Sequence, residues 1–225
     1  MSKIEVSRQH SKRTGIRQLG GRRFAASGFL VCVGLLSAGG RAIAHHALDG
    51  KIPSNFFEGF VSGLAHPIIG LDHFAFIVAI GLLAVGLSRG ALIPAGFVLT
   101  ALLGTGIHLL GLDLPGSEII IAGSAIAFGV MLLIQKRLNF IALTALASFA
   151  GLFHGYAYGE AIVGALRTPL LAYLLGFSLM QYAIALIALF IGKSICEKFT
   201  NSPMQFAGFV ICSIGTVFLT SSLLG

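Results

Sequence analysis

Polar residues in this chain act as sparse punctuation between long apolar runs, and their placement predicts the elements. Apolar runs at residues 72–87, 94–112, 119–134, 138–157, 169–192 and 205–224 are broken by Ser88-Arg89-Gly90, by residues 113–118, by Gln135-Lys136-Arg137, and by residues 158–168 and 193–203. About 20 mostly apolar residues carry a helix across a bilayer, so these runs predict six transmembrane helices, with 72–87 marginal but sufficient. Ahead of them, residues 55–65 form a shorter run with Gly59 and Gly63 on one helical face, which predicts a helix that enters the membrane without crossing it. The expected fold is therefore all-α: a polytopic membrane helical bundle of six transmembrane helices plus a short half-inserted helix.

Composition agrees. The 225 residues are 56% hydrophobic and 10% charged, with mean hydropathy +0.93, against about 25% charged residues in a soluble domain. The net charge of +7 would suit nucleic acid, but its distribution excludes that partner: eight lysines and arginines face one acid before residue 45, and seven face seven thereafter. The basic surplus belongs to a leader. Arg22-Arg23 precedes an apolar stretch at 24–38, too short to span, and Ala42-Ile43-Ala44 supplies a small-x-small cleavage pattern. Residues 1–44 are expected to be a cleaved signal peptide and 45–225 the transmembrane domain, so the protein belongs in the bacterial inner membrane. Of three cysteines, Cys196 and Cys212 remain after the leader, without the spacing of a disulfide framework or a thiolate metal site.

Charge also sets the orientation of the chain in the membrane. With an exported mature N-terminus and six spans, Arg89, Lys136, Arg137, Lys193 and Lys198 fall inside and only Lys51 and Arg167 outside, which satisfies the positive-inside rule and leaves the C-terminus periplasmic. Were residues 55–69 a separate crossing, every later loop would invert.

Chemistry concentrates in His66-Pro67-Ile68-Ile69-Gly70-Leu71-Asp72-His73. Proline and glycine there argue against an unbroken helix, and ionisable groups at membrane depth are functional candidates by default. Imidazole plus carboxylate suits a borderline divalent ion such as nickel, cobalt or zinc. A kink with one buried histidine bonded to a backbone carbonyl would look similar; three ligand-type side chains together weigh against it. A second block, Phe153-His154-Gly155-Tyr156-Ala157-Tyr158-Gly159-Glu160, carries another histidine and carboxylate. On the six-span topology both blocks lie toward the exported side and can meet. Gly151, Gly155 and Gly159 share a helical face and predict a close helix neighbour that holds His154 in place.

His-Pro-x-x-Gly-x-Asp-His, with the surrounding run from Phe57-Glu58-Gly59-Phe60 to Gly86, resembles the signature of the HupE/UreJ family of nickel/cobalt permeases, and the Phe-His-Gly block is similar to that family's other motif. The resemblance covers the chain from about His45 to Gly225. Some members carry histidine where Tyr158 stands, so no ligand role is carried over to that position. What the resemblance implies is a permease passing Ni2+ or Co2+ from periplasm to cytoplasm, upstream of hydrogenase or urease maturation. In that reading His66, Asp72, His73 and His154 replace part of the ion's hydration shell and Glu160 draws the cation in.

Further candidates are weaker. His108, alone on an apolar helix, is either a ligand or bonded to a neighbouring carbonyl. Cleavage after Ala44 would place an α-amine and two imidazoles at His45-His46, a donor set favouring Ni2+ or Cu2+, as a capture site at the periplasmic mouth; a flexible end with incidental histidines is the alternative. Gln181 and Tyr182 can line a path, although one glutamine more often ties two helices together. No phosphate loop, His-Glu-x-x-His or Gly-x-Ser-x-Gly is present, and neither a prosthetic group nor enzymatic activity is expected. Two other classes fit the same residues: a non-transporting membrane metal-binding accessory or sensor, and an intramembrane metalloenzyme with a metal-activated water.

Overall fold

The computed structural model describes residues 51–135, 138–198 and 202–224. The expected signal peptide, with His45 and His46 after it, lies outside the described residues. Those described form seven helices and no strand: α1 Phe56–Ile69, α2 Leu71–Leu83, α3 Leu92–Leu109, α4 Ser117–Leu133, α5 Phe140–Glu160, α6 Arg167–Lys198 and α7 Ser202–Leu224.

Each predicted run is a helix, but the lengths differ from expectation in ways that local chemistry explains. Asn55 caps α1 by accepting the Glu58 N–H at 3.0 Å. The Ser54 N–H and hydroxyl and the Asn55 amide donate back to the Glu58 carboxylate at 2.8–2.9 Å, holding its pKa below the ordinary value. This helix continues through Pro67 to Ile69, four residues beyond the predicted end. The break falls at one residue, Gly70, whose extended backbone bends α1 against α2 by 77°. Helix α2 stops at Leu83 rather than 87, because the chain turns at Ala84 and Gly86 takes a positive φ of 83° that glycine adopts without a Cβ clash. Helix α5 runs to Glu160, so the whole Phe-His-Gly block is helical and Tyr158 lies inside the helix rather than in the break after it.

Helices α3, α5, α6 and α7 are each long and apolar enough to cross a membrane; α1 and α2 pass that test only as a bent pair, and α4, at 17 residues, is a shorter apolar helix. Among the described residues, four helices can cross by length and composition, or five if the bent pair is one span.

Glycines set the packing. On α1, Gly59 lies against the backbone of Pro169 and Gly63 against that of Tyr173 in α6, while Gly155 of α5 meets the backbone of Ala101 in α3. Small residues let backbones approach this closely where lipid offers no hydrophobic drive for association. The predicted glycine face of α5 is thus occupied by α3, with Gly151 against Phe97 and Thr100 and Gly159 against His108. These registers make α1 and α6 parallel and α3 and α5 parallel, whereas Gly129 against Gly208 and Gly215 against Ala122 make α4 and α7 antiparallel. At the centre lies α2, apolar beyond Asp72 and His73 and buried along Ala75, Phe76, Ile77, Ala79 and Ile80. Leu99, Leu103, Phe149, Leu171, Leu175, Leu179 and Ile187 point outward and exposed, as a lipid-facing surface requires.

Candidate metal centre

Gly70 positions both motif imidazoles. Its N–H donates to the His66 carbonyl at 3.2 Å, closing α1, and a side chain at this position would meet the His73 ring at 2.7 Å. The bend therefore needs glycine so that the first turn of α2 can lay its histidine back toward α1. Asp72 serves that turn: its Oδ1 accepts the His73 N–H at 2.9 Å, and its charge sits at the positive end of the helix dipole. The His66 and His73 rings end up 6.3 Å apart and nearly perpendicular.

His154 completes the cluster from α5. Its Nδ1 lies 2.7 Å from His73 Nδ1, and its ring stacks on Phe76 with centroids 4.5 Å apart. Its exposure is 0%, and those of His66 and His73 are 8% and 7%.

The hydroxyl partners fix the direction of each bond, because a hydroxyl has one proton to give. Ser124 donates to the Ile121 carbonyl at 2.7 Å, so at 3.1 Å it accepts from His154 Nε2–H. Neutral His154 then has Nδ1 as acceptor, and His73 Nδ1–H donates to it. Tyr173 donates to the Tyr158 carbonyl at 2.9 Å, so at 2.8 Å it accepts from His66 Nδ1–H. In this arrangement His66 and His73 both donate through Nδ1. That is the form a metal ligand takes when a neighbour holds its other nitrogen.

Between them lies Tyr158, at 0% exposure. Its ring is 4.8 Å from that of His66 and 4.5 Å from that of His73, and its hydroxyl meets no hydrogen-bond partner among the described residues. The phenol ring packs against both imidazoles at once.

The structure thus brings His66, His73 and His154 together and leaves other sequence candidates apart. Glu160 is exposed at the last position of α5. His108 is half-buried against Tyr156, ring centroids 4.5 Å apart, with Nδ1 buried and unbonded among the described residues. Among the described residues no group of three or more His, Cys, Asp and Glu stands where it could hold a metal ion. The converging donors are imidazoles and phenols. Sequence reasoning missed Ser124 and Tyr173, which orient the rings; the available signal was a hydroxyl on an otherwise apolar helix face.

Apolar helices with an outward lipid-facing surface and a buried histidine cluster at a helix break define an integral membrane protein. The profile of the family described as HupE / UreJ protein matches residues 33–218, and the chain belongs to that family. Protein HupE of Rhizobium leguminosarum bv. viciae is 30% identical over 104 residues, 45% of this chain and 54% of that protein, so the chain spans about half the length of this curated relative. No solved structure matches the chain.

Proposed function

We propose that the protein is an inner-membrane permease that carries Ni2+ or Co2+ from periplasm to cytoplasm, with His66 and His73 as the receiving donors. The observation that carries this reading is the meeting of the two family motifs: residues 81 positions apart in sequence join as the His73–His154 pair, buried beside the α1–α2 break. Irregular backbone at membrane depth is tolerated where it lines a cavity or a substrate route, and broken helices mark such places. In this reading the 13-residue α2 and the 17-residue α4 cross along with the four longer helices α3, α5, α6 and α7 although both are shorter than a full span, α1 is half-inserted on the periplasmic side, and Arg89 and Lys193 face the cytoplasm.

The donor set supports passage. Two imidazoles of borderline softness replace part of a divalent ion's water shell, and His154 and Tyr173 hold their rings through Nδ1. Water completes the shell, which keeps the ion exchangeable, as conduction requires. Asp72 and Glu160 add negative charge at the periplasmic side. Nickel supplied to a hydrogenase or urease maturation route is the downstream use that fits this cargo.

Radioactive nickel flux into proteoliposomes holding the purified protein tests the reading. Uptake that saturates and is lost in His73→Ala is the expected result. Nickel binding without flux would overturn the permease reading in favour of a metal-binding accessory protein. Labelling of the native Cys196, exposed near the end of α6, by an impermeant thiol reagent only from the cytoplasmic side is expected; labelling from the periplasm would invert the topology.

A further inference from the structure

Gln181 stands at the middle of the apolar run 169–192, the longest in the chain, which on the six-span reading is the bilayer midplane. Its exposure is 0%. Neither its amide nitrogen nor its amide oxygen meets a hydrogen-bond partner among the described residues, and the same holds for the buried hydroxyl of Ser178 one turn earlier. The common use of an intramembrane glutamine is to tie one helix to another, and this side chain ties none of the described helices.

Its placement connects it to the histidine centre. Tyr173, Phe177 and Gln181 follow one another at i, i+4 and i+8, all at 0% exposure, whereas Leu171, Leu175 and Leu179 on the opposite side of α6 are exposed. The Phe177 ring lies 5.4 Å from that of Tyr158 and 5.6 Å from that of Tyr173. The face that borders the imidazole cluster thus continues to Gln181, about 12 Å further along the helix. Beyond it, Gly81 of α2 closes against the backbone of Ala185. Three residues on this side of the bundle, Tyr158, Ser178 and Gln181, hold buried polar atoms that meet no hydrogen-bond partner among the described residues. Such groups are costly in an apolar interior, and transporters place substrate groups at this depth.

We propose that Gln181, with Ser178 beside it, forms a second station on the ion route: its amide oxygen contacts the partly hydrated divalent cation after it leaves the imidazole donors of His66 and His73. A neutral oxygen ligand suits this step, because a carboxylate there would hold the ion and apolar side chains would not replace its water. The proposal rests on the permease reading, and the two can fail separately.

The experiment is nickel-63 flux into proteoliposomes of the full chain, paired with equilibrium nickel binding and thermal melting of the solubilised protein. Wild type and His73→Ala set the frame: flux in the first and loss of both flux and binding in the second support the permease reading. Gln181→Leu and Gln181→Met are then expected to lower flux at least tenfold, to leave nickel binding at the histidines within twofold, and to melt no lower than wild type. Gln181→Asn, which keeps an amide, is expected to restore part of the flux. Two variants guard against one that fails to insert. Flux within twofold of wild type in either inserted apolar variant overturns the station while leaving the permease reading intact. No flux in wild type overturns both.

Discussion

The two ends of the bundle are built on opposite plans. At the histidine end, rings from α1, α2, α5 and α6 interlock, and a chain of directed hydrogen bonds joins Ser124 to His154 and His73, and Tyr158 to Tyr173 and His66. At the other end, mostly apolar side chains, among them Leu82, Val85, Met131, Leu138 and Met204, line a pocket of about 150 Å³ together with Cys196 and the amide-bearing Gln135. Directional bonds specify one arrangement of rings and their protons, whereas apolar contacts specify only volume and tolerate rearrangement. On the permease reading proposed above, selection of the ion falls to the end where geometry is specified and release to the end where it is not. The placement of Gln181 between them fits an order of decreasing hold.

That contrast can be broken at the histidine end with large effects. Gly155→Val should be most severe, because a Cβ there meets the backbone of Ala101 with no flexible group to yield. It would part α3 from α5 and cost more than about 3 kcal/mol, seen as loss of monodisperse protein on size exclusion. His73→Ala and His154→Ala should both abolish nickel uptake while the protein still inserts, and Asp72→Asn should match them. Uptake near the wild-type rate in either histidine variant would remove that residue from the centre, and in Asp72→Asn would show that the charge it brings to its bond with the His73 N–H is dispensable.

Smaller changes sharpen the comparison. Tyr173→Phe keeps the ring but removes the acceptor of His66 Nδ1–H, and partners of this kind typically change metal affinity by roughly 10-fold or more. Its uptake should fall at limiting nickel and recover at high nickel, a split that simple destabilisation would not give. His108→Ala should be milder than His73→Ala, since its ring packs on Tyr156 outside the cluster; complete loss in a transport assay would move His108 into the route. At the opposite end, Met204→Leu preserves volume in the apolar cavity and should leave uptake within about twofold, volume-conserving swaps usually costing under ~1.5 kcal/mol. A tenfold loss there would show that the sulfur, rather than the space, matters.

Much of this was legible before any coordinates. The helices follow from apolar runs and their breaks, because burial in lipid demands local hydrogen bonding and so writes itself into contiguous sequence. The glycine face of α5 and the break after His66 were legible for the same reason: close approach and bending depend on what a residue lacks at its own position. The end of α1 was misplaced by four residues, because proline is only one of the signals that stop a helix and Gly70 took the bend.

What only the tertiary structure decided is which polar groups complete one another. Tyr173 holds His66 across 107 positions, and Ser124 holds His154 across 30; nothing local marks either hydroxyl as a partner. His108 was the weaker candidate, a lone histidine on an apolar helix, and its ring packs on Tyr156 whereas His154 faces the centre. Gln181 looked like a helix tie and bonds to no described residue. Hydrophobicity and backbone bonding are properties of a residue and its near neighbours, so sequence carried them. Tautomer, alignment and partnership are properties of pairs brought together by packing, and these came only with the fold.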